Sequence, residues 1–449
     1  MNRIRIFKNF SPVINYRYVH LSSQVKSKQT PRDSSSTTPL DPKFLRSVEN
    51  TVSISQSAVL KYKQKVNPNF NDIFRIQQLT SWFDKIILNC TANGQKNTRT
   101  EIIKSSYVDR EFFEKPKFYN FETKVRTYKP ENREPTTSSD DIPKRIIYLH
   151  GGGYCLCTID TYHPLLRALS NNLNAEVIAI DYQSSPQVPQ PHSINQAISV
   201  CQVILNRYEN KSISIAGDSA GGHATLNVVL DLIKSKDQDK SKSGSVKLPK
   251  SAILIYPWLS LRKVSPSWFQ PISLNCKYQN ILAGFVMNCM KGGQFSEKSS
   301  FDIEYTLENM NTYLAIINRD KSEISKCDPK VVTKFEKFIN QPKISTDLRT
   351  DQEISKINEN NINFLINISD LDALYDEGTD FYNQLQRTRT VSDESNGSKI
   401  IKHVSKGTTH GWFQCFASQA RHGYRKAKSW TPEHDREFDN VINAIKKVL

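Results

Sequence analysis

Six short apolar runs, at 145–149, 176–180, 212–216, 252–256, 364–368 and 399–404, alternate with stretches of helical periodicity. Runs of this kind fit strands buried on both faces, and the helices between them must then supply the cover. The alternation predicts an α/β fold with a mostly parallel central sheet and helices on both faces. Upstream, residues 118–128 alternate polar and apolar side chains and read as an antiparallel edge strand. A helix should close the chain, with Thr431 as N-cap, Pro432 at the first position and Phe438, Val441, Ile442, Ile445 and Val448 at helical spacing.

Chemistry concentrates where two of these runs end. Gly217-Asp218-Ser219-Ala220-Gly221-Gly222 lies directly behind the 212–216 run and ahead of a helix-compatible stretch. A serine on such a strand-to-helix turn adopts strained backbone angles, which glycines two residues to either side permit. Its hydroxyl then projects at a helix N-terminus, where the dipole favours developing negative charge. Taken alone, the motif also fits an ordinary turn. His150-Gly151-Gly152-Gly153-Tyr154 follows the 145–149 run, and its glycines leave backbone N–H groups uncovered by side chains. Gly151, Gly152 and Gly153, with the N–H of Ala220 after the serine, are candidate oxyanion donors. A flexible loop is the plainer alternative. His150 is placed to orient the glycine run.

Together with Asp181-Tyr-Gln-Ser-Ser-Pro186, Leu371-Asp-Ala-Leu-Tyr-Asp-Glu-Gly378 and Thr409-His-Gly-Trp-Phe413, these motifs occur in one order over about residues 140–449. In this the chain resembles the hormone-sensitive-lipase-like branch of the α/β-hydrolases, which includes plant carboxylesterases and fungal steryl acetyl hydrolases. The resemblance implies the α/β-hydrolase fold with an N-terminal helical cap. It also implies a triad in the chain order serine, acid, histidine. Ser219 is then the nucleophile, and Asp372 takes the acid position after the 364–368 run, with Asp370 as its close competitor. Of the nine histidines, His410 lies in the loop after the last predicted strand and is the candidate base. His422-Gly423 sits in a polar run with no strand before it, and His403 falls inside a strand. Asp376 and Glu377 fall where a helix begins and suit its N-terminus.

Expected domains are a basic targeting segment and linker at 1–40, cap helices at 41–115, and a catalytic domain at 116–449 with a polar insertion at about 295–360. In the family a second cap segment follows the fourth core strand, here 258–290 with Trp268, Phe269 and Phe285. Two departures stand out. Gln187 occupies a position where the family commonly has glutamate, and the spacing from Ser219 to Asp372 is longer than the family's, with the polar insertion replacing the segment before the acid strand.

Composition bounds the rest. The formal net charge is +16, and nearly half of that excess lies in residues 1–32, where Arg3, Arg5, Lys8, Arg17, Lys26, Lys28 and Arg32 occur without an acid. That pattern fits a mitochondrial transit peptide better than a secretory signal, with a basic tail or a cytoplasmic protein as the alternative. Elsewhere the charges are mixed in sign, which fits solvated segments and not a nucleic-acid surface. No apolar run reaches membrane-spanning length, leaving peripheral membrane contact as the open form of association. The eight cysteines show no framework spacing and suit a reducing compartment; no metal site or cofactor is expected. The expected function is hydrolysis of short- to medium-chain acyl or acetyl esters of a hydrophobic alcohol, a small-molecule substrate. An aryl formamidase or amidase on the same machinery, and a non-catalytic ligand-binding relative, are the alternatives.

Overall fold

The computed structural model describes residues 97–131, 144–185, 187–208, 212–238, 246–270, 273, 278–291, 303–390, 398–414 and 432–449. The basic segment at 1–40, most of the stretch read as cap helices, and Thr431 lie outside them.

β1 (Thr98–Asp109) and β2 (Lys117–Tyr128) form a long antiparallel hairpin. Alternating elements follow: β3 (Arg145–Leu149), α1 (His163–Leu173), β4 (Glu176–Asp181), α2 (His192–Arg207), β5 (Ile213–Asp218), α3 (Ala220–Gln238) and β6 (Ser251–Ile255). Next come α4 (Tyr278–Lys291), α5 (Ile303–Asn318), α6 (Pro329–Ile339) and α7 (Asp351–Glu359). β7 (Asn363–Ser369), α8 (Tyr375–Arg387), β8 (Ile400–Ser405) and α9 (Pro432–Val448) complete the order. The described strands make one eight-stranded sheet ordered β1-β2-β4-β3-β5-β6-β7-β8, parallel from β4 to β8 and antiparallel at β1 and β2.

Side chains alternate across the pleat, so each strand feeds two cores. Ile147, Ile178 and Ile215 pack with Ile198, Cys201 and Val228 of α2 and α3 on one face. Ile146, Val177 and Ala216 meet Leu165 and Leu166 of α1 and Phe438, Val441 and Ile445 of α9 on the other. Every residue of β3, β5 and β6 is buried, the outcome expected of parallel strands covered twice.

Three sequence expectations change. The run at 118–128 is a strand but not an edge, because β1 pairs along its outer side. Thr98–Asp109, inside the stretch read as cap helices, is that outer strand; Ile103 is buried and Ile102 exposed, a period of two. The described part of the insertion is folded, not merely solvated. α6 turns Phe335, Phe338 and Ile339 inward, and α7 starts on a capping box between Thr350 and Glu353 and buries Ile354 and Ile357. A helix therefore does precede the acid strand. Between α6 and α7 the buried Lys343 ammonium reaches Asp109 Oδ1 at 3.1 Å and Asn195 Oδ1 at 3.2 Å, tying the insertion to β1 and α2.

Candidate active site

Ser219 joins β5 to α3 with a φ of 54°, in the left-handed region. Its N–H donates to Ile255 O at 2.9 Å, and its carbonyl accepts from the N–H groups of His223 and Trp258, both at 3.1 Å. Neighbouring strands and the new helix thus hold the strained residue from both sides. The flanking glycines are required for close approach: a Cβ on Gly221 would lie 2.0 Å from Leu149 O, and one on Gly217 would lie 2.3 Å from Gly221 O.

Three elements converge on the serine hydroxyl. His410, in the turn after β8, has Nε2 2.8 Å from Ser219 Oγ and Nδ1 2.8 Å from Asp372 Oδ2. Asp372, after β7, has a side chain with 0% exposure, whereas that of His410 is 22% exposed, so of this pair only the imidazole meets solvent. The second Asp372 oxygen accepts from Leu374 N–H at 2.9 Å. Tyr256 packs its ring edge-on to the imidazole at a centroid distance of 5.0 Å. Asp370 does not join this chain. It accepts from Thr408 N–H at 3.2 Å and so shapes the loop that carries His410.

The glycine loop lies beside the elbow. Gly152 and Gly153 have φ values of 111° and 61°, and the carbonyl of Gly152 turns back to accept from Cys155 and Leu156 N–H. Among the described residues, no group accepts from the N–H of Gly152, Gly153 or Ala220. Gly151 differs from the sequence expectation: its single N–H is spent on Tyr162 Oη at 3.0 Å and Asp218 Oδ1 at 3.1 Å, so it is a tether and not a donor to substrate. His150 Nδ1–H donates to Gly151 O at 2.8 Å, and its ring stacks on Tyr182 with centroids 4.2 Å apart. Tyr182 Oη–H in turn donates to the His150 carbonyl. Burial holds the His150 imidazole below its ordinary pKa, keeping it neutral. Tyr154 donates to His223 Nδ1 at 2.6 Å, and burial drives that histidine down to about 3.

Sequence reasoning passed over the cage around Asp218. Its buried carboxylate accepts from Tyr162 Oη at 2.7 Å, Tyr148 Oη at 3.0 Å, Tyr256 Oη at 3.4 Å and the Gly151 N–H. Burial pushes the Asp218 carboxyl up, and the Tyr162 and Tyr148 hydrogen bonds pull against that rise. A signal was present: Tyr148 interrupts the aliphatic residues Ile146, Ile147 and Leu149 of β3, and a buried phenol needs an acceptor. Two further acids read as helix-start residues prove to be ties. Asp376 accepts from Ser267 N–H at 2.7 Å, and Glu377 accepts from Leu259 and Ser260 N–H at 2.8 and 3.0 Å, anchoring the segment after β6 to α8. Of the aromatics expected near the cleft, Trp268 is core and Phe269 is exposed. Phe285 of α4 lies against the glycine loop, its ring 2.5 Å from where a Gly153 Cβ would stand.

Residues 146–288 match the family described as alpha/beta hydrolase fold. The strand order and the serine turn between β5 and α3 agree with that match. The chain has the α/β-hydrolase fold. Among curated proteins, it is similar to the acetyl esterases of Salmonella paratyphi B and Salmonella typhi, at 34% identity over 107 residues, which is 23% of this chain and 31% of theirs. It thus aligns with about a third of the length of those relatives. Among solved structures it is similar to a mutant of the esterase rPPE, with a TM-score of 0.53 and 13% identity over 91% of this chain and 97% of the other. It is also similar to LAE6, an alpha/beta hydrolase enzyme from the metagenome of Lake Arreo, Spain, with a TM-score of 0.52 and 17% identity over 89% and 97% of the two chains. These likenesses are of fold. Among the described residues no helix is long and apolar enough to cross a membrane.

Proposed function

We propose that this chain is a serine carboxylic-ester hydrolase. The observation that carries the reading is the continuous hydrogen-bonded path from Ser219 Oγ through His410 to buried Asp372, beside three N–H groups that no described residue engages. His410 Nε2 takes the Ser219 proton as Oγ attacks the ester carbonyl. The carbonyl oxygen becomes an oxyanion, held by the N–H groups of Gly152, Gly153 and Ala220. His410 then gives its proton to the departing alcohol, leaving an acyl-serine. A water molecule, deprotonated by the same imidazole, attacks that acyl group; the acyl–Oγ bond breaks, the imidazolium returns its proton to Ser219 Oγ, and the carboxylic acid departs. Asp372 keeps the Nδ1–H tautomer in place and stabilises the imidazolium that forms twice per cycle.

The substrate class we assign is short- to medium-chain acyl or acetyl esters of a hydrophobic alcohol. Support comes from the acetyl esterases among the relatives and from Phe285, which narrows the space beside Gly153. A ligand-binding protein without turnover is the weaker reading, since such a protein would have no need of an imidazole on the serine. Ser219→Ala should abolish p-nitrophenyl acetate turnover and fluorophosphonate labelling, with a loss of about 10⁴-fold or more in kcat. Retention of both by the variant would overturn the assignment. A wild-type panel of acyl esters, a steryl acetate and an aryl formamide then separates ester from amide preference.

A further inference from the structure

The turn of the β1–β2 hairpin stands at the same end of the sheet as the active site. β2 runs antiparallel to β4 and pairs with it only from Lys124, opposite Asp181, to Tyr128. Residues 117–123 therefore extend past the C-terminal end of β4, on the side where the glycine loop, Ser219, Asp372 and His410 leave their strands. There the hairpin forms a groove of about 800 Å³ with α4 and α6.

Its lining combines two chemistries. Phe112, Phe113, Phe118, Met290 and Phe338 are apolar, and Phe118 is 76% exposed at the edge of this apolar lining. Lys115, Lys117, Lys334 and Lys337 surround them, all exposed. Lys330 and Lys334 are four residues apart on α6 and share a face with Lys337, extending the basic strip away from the hairpin. Lys117 rests its ammonium over the Phe113 ring at 4.8 Å and over Tyr119 at 5.2 Å, so aromatic and cationic groups form one surface. Glu114 is the acid of the lining, and it faces Lys337 at 3.4 Å.

We propose that this groove docks the protein on an anionic lipid bilayer. Phe118 enters the boundary between headgroups and acyl chains, while lysines bury their stems and hold lipid phosphates and carboxylates. The excess of lysine over acid at the groove supplies the charge complementarity, and exposed Phe118 supplies the apolar contact. Docking would set the catalytic end of the sheet toward the layer that concentrates hydrophobic esters. The surface does not depend on the hydrolytic reading, and Ser219→Ala protein should dock like wild type.

The test is co-sedimentation of the full chain with phosphatidylcholine vesicles, with and without phosphatidylserine. Wild type should bind the phosphatidylserine vesicles at least about tenfold better, and Lys117→Glu and Lys334→Glu should each weaken that binding by about fivefold or more. Phe118→Ser should weaken vesicle binding while leaving retention on a heparin column unchanged, separating insertion from simple charge attraction. Phe118→Trp should gain blue-shifted emission on addition of phosphatidylserine vesicles. Exposure of all these side chains predicts unchanged melting temperatures, read on each variant as the folding control. Vesicle binding that persists in every groove variant would overturn the proposal and transfer the membrane contact to the basic segment at 1–32. Absence of wild-type binding to either vesicle would overturn it outright, as would loss of heparin retention in Phe118→Ser.

Discussion

On one side of Ser219, Asp372 faces an imidazole; on the other, Asp218 faces three phenols and a backbone amide. Both carboxylates are buried, and both have hydrogen bonds to each oxygen. The difference lies in what the partner can become. An imidazole can take up a proton and a charge during a reaction, so Asp372 can stabilise a state that exists only on the reaction path. Phenols and an amide stay neutral, so the bonds of Asp218 act on geometry, and its charge reaches the His410 imidazole only through space. Asp218 gathers β3 through Tyr148, the glycine loop through Gly151, α1 through its neighbour Tyr162, and the end of β6 through Tyr256, around the residue next to Ser219. Equal burial of one residue type thus supports a directly bonded imidazolium at one position and chiefly alignment at the other.

Removing each carboxylate's charge while keeping its shape tests that contrast. Asp372→Asn should have the largest effect, a fall of about 10⁴-fold in kcat with little change in melting temperature, because the amide stabilises the wrong imidazole tautomer. Asp218→Asn should lower kcat by about 10²-fold, since displacement of the glycine loop by an ångström is enough for that. Unlike the first variant, it should also lower the unfolding free energy by about 1–3 kcal/mol, because the amide cannot accept from every donor of the cage. A melting curve separates the two, and equal stability losses would erase the distinction drawn here.

A third buried carboxylate gives the smallest effect and a pH signature. Burial pushes Glu377 up to about 8 from an ordinary 4.5, so the folded protein keeps a proton that the unfolded chain releases. Stability should therefore fall as pH rises from about 4.5 towards 8, the unfolded state binding fewer protons throughout that window. Glu377→Gln retains an oxygen for the Leu259 and Ser260 N–H groups and removes the titration. Its melting temperature should decline less than that of wild type across that range, with kcat unchanged. A parallel decline in both proteins would show that Glu377 is not protonated in the fold.

Much of the candidate site was legible because its parts are local. The serine turn, the glycine run and the loop bearing His410 each follow an apolar run directly, and short strands written this way leave few alternatives for what comes next. Asp370 and Asp372 could not be separated by spacing, since two residues on one loop differ only in direction; the fold turns one to Thr408 N–H and the other to His410. Gly151 was misread for the same reason. A glycine's identity says that its N–H is accessible, and not that Asp218 and Tyr162 already occupy it. The hairpin strand β1 escaped because its apolar residues are sparse, and its buried side is defined by pairing with β2.

By itself the sequence determined the alternation of the core strands with helices and the strained serine turn. Both depend on neighbours within a few residues, where steric and periodic rules act directly on residue type. Tertiary structure alone decided which aspartate meets the imidazole, which glycine amides stay unengaged, that Asp218 binds three tyrosines from separate elements, and that Phe285 closes on the glycine loop. Those outcomes join residues distant in the chain. They depend on side-chain direction and on which hydrogen bonds are already satisfied, quantities that arise only once the sheet has brought its strand ends together.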